Sequence, residues 1–348
     1  MKITAYSESV NKEEFEKEFS NLQAELRQKP YNLANYDASI WLRFLKMPTP
    51  FKKEFWLLYD KNGRAVGRVG ASTMTSYPAS GSLGFFEVDV RDGQAKEYAQ
   101  LLLQTAQNWL LEQSITKIYG PLNFNTWFSY RFQKVKSEQK HMYLWEPINP
   151  PEYSQYFEDF SFTKADSYHS SVVEGLDLLC SKMKISHDKA LTNGYSFKSF
   201  SKDQNEFIQN EVPKIYEMTI ASFKKNFLFE PIDLESFKAL YVPVMSKFSL
   251  EYSFFALSPE GQEVAFLFAF LDPISKQLVL KSTAVKTEHR GRGLCNALVY
   301  LAGQAALKVD CDTYIPALIR DGIQTESYAK KAKLVERHEY CLYEKSLA

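Results

Sequence analysis

The sequence predicts an α/β protein built in two halves that share one order of strands and helices. Three observations carry this reading. The chain has 348 residues, about twice the usual domain length. Both halves show the same succession of patterns: a hairpin, a strand, a helix and a strand. Hydrophobic residues make up 45% and charged residues 24%, the balance of a chain that buries a large core rather than one that stays unfolded.

In the first half, residues 13–27 are charged and helical in pattern. Residues 56–59 and 65–71 read as two strands around Asp60-Lys61-Asn62-Gly63, where Asn-Gly supplies the positive-φ positions of a tight hairpin. Residues 82–90 form a third strand, rich in aromatic and branched side chains. Residues 95–112 place Tyr98, Leu101, Leu102, Ala106, Trp109 and Leu110 on one helical face. A short strand at 115–119 is closed by Gly120-Pro121. The stretch 174–194 is mixed in character and reads as a linker or crossing element.

The second half repeats the order. Helices are expected at 211–223, with Pro213 in the first turn, and at 234–248, where Pro243 should bend or stop the helix. Residues 252–257 and 263–271 form a hairpin around Ser258-Pro259-Glu260-Gly261. A strand at 277–285, a helix at 294–307, a strand at 313–318, a helical turn at 327–332 and a closing strand at 339–344 complete it. The shared order points to an internal duplication. The expected organisation is a domain over 1–172, a linker over 173–195 and a second domain over 196–348.

Composition removes several function classes. Forty-two basic residues balance forty-two acidic ones, so no global field gathers nucleic acid. Cys180, Cys295, Cys311 and Cys341 contain no C-x-x-C pair. They do not combine with His141, His169, His187, His289 or His338 at metal-ligand spacing, so no metal is expected. The start of the chain is polar, and the longest apolar run, 264–271, falls far short of the roughly 20 residues that span a bilayer. No membrane span and a cytoplasmic location are expected. Composition leaves the oligomeric state open.

The informative stretch is Arg290-Gly291-Arg292-Gly293-Leu294-Cys295, between the strand ending at Val285 and the helix that follows. Paired glycines admit positive φ and close approach of a ligand. The free amides of a helix's first turn, at the positive end of its dipole, suit phosphate oxygens, and two arginines add charge. It is neither the G-x-G-x-x-G fingerprint nor a Walker A loop. Taken alone, the pattern serves an ordinary helix start as well as a pyrophosphate turn.

Residues 280–307 resemble motif A of the GNAT (N-acetyltransferase) superfamily, a strand, a loop with Arg/Gln-x-x-Gly-x-Gly/Ala, and a helix. The resemblance extends over about 197–346 and includes Tyr328-Ala-Lys-Lys-Ala-Lys-Leu. It implies two GNAT-like domains, each a mixed, mostly antiparallel sheet flanked by helices, the second holding acetyl-CoA or another acyl-CoA as co-substrate. Arg290, Gly291, Arg292, Gly293, Leu294 and Cys295 would hold its pyrophosphate. The backbone at Ala284 and Val285 would hold the pantetheine arm, and Tyr328 would be the catalytic proton donor to the departing thiolate. Cys295 stands where Gly or Ala is usual, Asp321 where Asn is frequent, and Ala332-Lys333 where Gly-Phe is usual. The first half resembles a degenerate copy, because Val90-Arg91-Asp92-Gly93-Gln94-Ala95 has one glycine and an acidic residue where phosphate would sit.

The implied reaction is acyl transfer to an amine of a small molecule or peptide. The alternatives are a tandem aminoacyl or long-chain acyl transferase, and a non-catalytic coenzyme A sensor or scaffold. Each of these residues also suits an ordinary structural role. Tyr328 could be a packing aromatic. Cys295 could be a reactive thiol at a helix start or a small tolerated residue. Residues 123–130, with Phe124 and Trp127, could line a cleft or pack a core. Glu251, Glu263 and Asp272 read as solvated edge charges rather than a base.

Overall fold

The computed structural model describes residues 1–27, 38–134, 141–245, 247–322 and 332–347. The chain opens with β1 (Lys2–Ala5), α1 (Lys12–Leu26), α2 (Ala38–Lys46), β2 (Lys53–Tyr59), β3 (Ala65–Thr73) and β4 (Ser80–Val88). Then come α3 (Ala95–Glu112), β5 (Lys117–Gly120), β6 (Phe132–Lys134), α4 (Glu152–Asp159), β7 (Thr163–Glu174) and α5 (Leu176–Thr192). Next are β8 (Ser196–Ser199), the single turn α6 (Gln204–Glu206), α7 (Val212–Phe223), α8 (Leu234–Met245), β9 (Phe254–Leu257) and β10 (Glu263–Leu271). Last are β11 (Leu278–Val285), α9 (Leu294–Leu307), β12 (Thr313–Pro316), β13 (Ile319–Arg320) and β14 (Lys333–Ser346).

Two compact units result. The first comprises Met1–Glu138, Pro147–Ser167 and Glu339–Ala348; the second comprises Gln139–Glu146 and Tyr168–His338. In the first, β1, β2, β3 and β4 pair antiparallel in order, and β4 meets β5 in parallel. Residues 343–346 of β14 then pair antiparallel with β5. The strand expected at 339–344 is therefore present, and it is held in the first unit because Cys341 and Tyr343 bury in that unit's core. In the second unit β8, β9, β10 and β11 pair antiparallel, β11 is parallel to β12, and β7 is antiparallel to β12.

The duplication suggested by the sequence shows in equivalent hydrogen bonds. The Asp89 amide donates to Val66 O at 2.9 Å, and the Lys286 amide donates to Val264 O at 2.8 Å, each just past the end of its strand. The Leu122 amide donates to Leu83 O at 2.8 Å, and the Ala317 amide to Leu280 O at 3.1 Å. These pairs make Asp89 the counterpart of Lys286, and Asn123 the counterpart of Leu318.

Several local expectations change on inspection. Residues 176–192, read as a crossing element, are the 17-residue helix α5. Its buried residues Leu176, Leu179, Cys180, Met183 and Ala190 join the core of the second unit with Leu294, Leu298 and Ala302 of α9. The two helices approach so closely that a Cβ on Gly303 would collide with Cys180 Sγ. In the first hairpin only Gly63 of the Asn-Gly pair has positive φ, +79°. Asp60 Oδ1 accepts the amides of Asn62 and Arg64 at 2.8 and 2.9 Å, which holds the turn with Asn62 in an ordinary conformation. Pro243 lies inside α8, which ends two residues later at Met245.

The first unit has a core on each face of its sheet. Val69, Phe86 and Val88 pack with Tyr98 and Leu102 of α3. Phe55 and Phe85 pack on the other face with Phe15 and Phe19 of α1, Phe44 of α2 and Phe124. Phe124 stands 4.9 Å from Phe85 and 5.7 Å from Phe128 between ring centroids. The aromatic stretch 123–130 thus contributes core packing to its own unit.

Candidate functional site

The site grows out of one irregularity in β11. Its register with β10 runs from Val285 opposite Ala265 to Ser282 opposite Phe268, then jumps to Leu280 opposite Ala269, leaving Lys281 as the extra residue of a bulge. Parallel pairing with β12 sets Leu278, Val279 and Leu280 opposite Tyr314, Ile315 and Pro316, and stops there. Beyond Leu280 the two strands part, and β12 gives way to β13, which pairs with β7 through Ile319 and His169.

The far half of β11 therefore has a backbone edge that β12 does not cover. The Lys286 amide bonds to Val264, so the next opposed pair, Val285 and Ala265, exchanges no hydrogen bonds. The peptide groups of Val285, and of Thr283 two residues earlier, consequently turn away from β10, toward the side that β12 has left. Ala284 is buried on the strand between them. Val285 O accepts Arg290 Nε at 3.2 Å, which folds that arginine back along the strand end.

The turn after β11 leads straight into α9. Gly291 and Gly293 have φ of +77° and +78°, a conformation that L side chains rarely adopt. Among the described residues, nothing lies within 4 Å of where a Cβ would stand on Gly291, while a Cβ on Gly293 would come within 3.2 Å of Ser186 Cβ on α5. Gly293 caps α9 without a side-chain hydrogen bond, and the Ala297 amide makes the helix's first bond, to Gly293 O at 3.0 Å. The amides of Leu294, Cys295 and Asn296 form the first turn ahead of that bond. Arg290 and Arg292 flank it at or near the surface. This is an open, positively polarised nest.

Neighbouring side chains hold the nest in place. Tyr195, which is buried, shares a 2.9 Å hydrogen bond between its hydroxyl and His289 Nδ1, and the Arg292 guanidinium lies 5.9 Å from its ring centroid. Asn296 Nδ2 donates to Ser186 Oγ at 3.3 Å, tying the first turn of α9 to α5. Cys295 Sγ lies 3.6 Å from Thr283 Oγ1. Burial pushes the Cys295 thiol up, outweighing the Thr283 hydroxyl and the nearby Arg290 charge, so the side chain is suited to packing rather than to nucleophilic attack.

The corresponding features of the first unit are filled by its own residues. Asn123 Oδ1, at the position of Leu318 in the second unit, accepts the Phe85 amide at 2.7 Å. The Tyr153 hydroxyl accepts the Val88 amide at 3.0 Å and donates to the Val88 carbonyl at 3.2 Å, closing the counterpart of the Val285 peptide. Ahead of α3, Asp92 Oδ1 accepts the Gln94 amide at 2.9 Å, and Tyr98 donates to Asp92 Oδ2 at 3.1 Å. Asp89, the counterpart of Lys286, binds Arg64 at 2.8 Å and Arg91 at 2.6 Å. Although burial pushes its carboxyl up, these arginines hold it below the usual carboxylate range. The turn ahead of α3 is thus held by the unit's own carboxylates.

Of the three acidic residues expected to be solvated edge charges, Glu251 is partly exposed, Glu263 is largely buried and Asp272 is fully buried. Asp272 is fully buried and accepts the amides of Leu144 at 3.2 Å and Ile274 at 3.0 Å, together with the Ser275 hydroxyl at 3.0 Å. Burial alone would raise Glu263, but hydrogen bonds from Lys214 and Lys198 draw its carboxyl down to about 2. Glu251 lies 3.9 Å from Lys202 at the surface. No local pattern signals the pair formed by His169 and Asp321, which are far apart in the chain yet 2.7 Å apart through Nδ1 and Oδ1. Tyr328 lies outside the described residues. Among the described residues there is no group of three or more His, Cys, Asp or Glu arranged to hold a metal ion. No described helix is long and apolar enough to cross a membrane.

No protein-family model matches the sequence, and no curated protein matches it. Solved structures do. A tandem GNAT protein from the clavulanic acid biosynthesis pathway matches 99% of this chain and 98% of its own, with a TM-score of 0.59 and 12% identity. A GCN5-related glucosamine N-acetyltransferase region of a fungal multidomain GH3 β-N-acetylglucosaminidase matches 99% of this chain with a TM-score of 0.61 and 13% identity. This chain spans 38% of that larger one. A GCN5-related N-acetyltransferase from Sphaerobacter thermophilus matches 95% of this chain and 91% of its own, with a TM-score of 0.52 and 12% identity. At such low identity the likeness establishes the fold: two GNAT-like units in tandem, each a mixed, mostly antiparallel sheet flanked by helices.

Proposed function

We propose that the second unit binds an acyl-CoA, acetyl-CoA in the simplest case, and transfers its acyl group to an amine of a small molecule or peptide. One observation carries the reading. Among the described residues the edge of β11 that β12 leaves runs into an open two-glycine nest, while in the first unit Tyr153 closes the Val88 peptide, the counterpart of Val285, and Asp92 takes an amide ahead of the helix. The tandem GNAT fold is the scaffold on which such an edge and nest are expected to act together.

In this reading the first-turn amides of Leu294, Cys295 and Asn296 and the charges of Arg290 and Arg292 meet the diphosphate, with Gly291 and Gly293 keeping the turn free of side chains. The peptide groups of Thr283 and Val285 hydrogen-bond the extended arm, beside Ala284. A Val285 amide near the thioester carbonyl would stabilise the oxyanion as the amine attacks. Tyr328 is proposed to protonate the departing thiolate as the C–S bond breaks, while the attacking nitrogen passes its proton to water. The first unit is proposed to bind no coenzyme A.

Calorimetric titration with acetyl-CoA tests this. One site per chain is expected. Arg292→Glu should weaken binding at least tenfold, whereas Asp92→Ala in the first unit should leave it unchanged. No binding to the unsubstituted protein would remove the reading. Thiol release with a panel of primary amines then separates an enzyme from a coenzyme A sensor, and an unchanged rate in Tyr328→Phe would remove the role given to Tyr328.

A further inference from the structure

A second cleft lies close to the nest, between α7 and the turn joining β9 to β10. Lys214 and Glu217 of α7, Gly261, Gln262 and Glu263 of the hairpin, and Lys286 past the end of β11 line a volume of about 290 Å³. Gly261, with φ of +81°, lines the cleft at the hairpin, and among the described residues nothing lies within 4 Å of where a Cβ would stand on it.

Its charges sort into two sets. Glu263 is satisfied from within, with Lys214 Nζ at 2.7 Å and Lys198 Nζ at 2.9 Å from Oε1. That leaves Glu217 and Lys286. Among the described residues neither side chain makes a hydrogen bond or an ion pair, and the two do not pair with each other across the cleft. A simple anion drawn to Lys286 would face the Glu217 carboxylate, and a simple cation drawn to Glu217 would face the Lys286 ammonium. A ligand carrying both charges a few ångströms apart satisfies both residues at once.

We infer that this cleft binds a free α-amino acid, its carboxylate on Lys286 and its ammonium on Glu217. The inference stands on the charges of this cleft and does not require acyl-CoA to bind at the nest. Two charge-assisted contacts at a solvent-open site are consistent with a Kd on the order of 1 mM.

Saturation-transfer NMR with alanine, serine, lysine, glutamate and phenylalanine tests it, each measured beside its N-acetyl and carboxamide derivatives. At least one parent amino acid should bind, and both of its derivatives, each lacking one charge, should bind at least tenfold more weakly. Glu217→Gln and Lys286→Gln should each weaken the parent to the same extent, with circular dichroism confirming that both variants fold. The inference falls if no parent binds, if the N-acetyl form or the carboxamide binds as well as the parent, or if either variant keeps full affinity. Failure of acetyl-CoA to bind in the separate calorimetric experiment would count against the acyl-transfer reading alone.

Discussion

Replacing Glu87 by alanine tests how the first unit is held together. Glu87 sits on β4 with a side chain 2% exposed. It accepts Gln23 Nε2 at 2.7 Å, Arg27 Nε at 2.9 Å and Nη2 at 2.5 Å, and the Tyr153 hydroxyl at 2.9 Å. The fully buried Arg68 guanidinium lies 3.9 Å away and stacks near the rings of Phe19 and Trp41. Alanine would remove the carboxylate that balances two guanidiniums and leave their charge in a nearly dry site. Removing one partner of a buried ion pair costs about 3–5 kcal/mol. Trp41, Trp56, Trp109 and Trp127 all belong to the first unit, so tryptophan fluorescence during urea unfolding reports mainly on it. The expected result is a loss of that size, with the slope of the transition unchanged. A loss below about 1 kcal/mol, the range of an exposed pair, would refute the view that this network is buried and mutually dependent.

Two further outcomes follow from the second unit. Glu263 is drawn down to about 2 from its ordinary 4.5, so its contribution to stability is present above about pH 4.5 and is lost as the pH falls toward 2. Denaturant midpoints of the unsubstituted protein and Glu263→Gln should therefore differ at neutral pH and converge in that acidic window; a constant gap would contradict the ion-pair assignment. Cys295, whose thiol burial pushes up, should be alkylated by iodoacetamide at neutral pH more slowly than free glutathione, as followed by mass spectrometry of the peptide containing it. Faster labelling than glutathione would restore the reactive-thiol reading.

How much of this is legible in the sequence depends on the range of the interactions. The hairpins, α3, α9 and the two-glycine turn are set by periodicity and by residues adjacent in the chain, and they stand where the pattern places them. Helix α5 reads as a connection in the sequence although Leu176, Leu179, Cys180 and Met183 repeat at helical spacing, because polar residues surround them and the segment falls between the halves. The bulge at Lys281 has no local signature, since it shows only in the pairing of β11 with β10. The closing of the β4 edge by Asn123 likewise needs a side chain from past the next strand to meet an amide thirty-eight residues earlier. Pairings of this kind belong to topology, which local propensity does not encode.

The two units share one framework. Both keep the parallel step from a bulged strand to the next strand, and both start a long helix after a short turn. What differs is the chemistry placed at those points. Lys286 is matched by Asp89, the paired glycines by a turn in which Asp92 takes an amide, and Leu318, which has no side-chain acceptor, by Asn123. In the first unit the Tyr153 hydroxyl bonds the Val88 amide at 3.0 Å and the Val88 carbonyl at 3.2 Å, whereas among the described residues the counterpart peptide of Val285 turns away from β10 without such a partner from its own sheet. A protein that needed the sheet only for stability would gain by making the same closures twice, because each satisfied amide is worth about 0.5–1.5 kcal/mol. Keeping one edge and one helix start open, in the unit that also carries Arg290 and Arg292 beside them, is the pattern expected of a site that leaves its hydrogen bonds for a ligand.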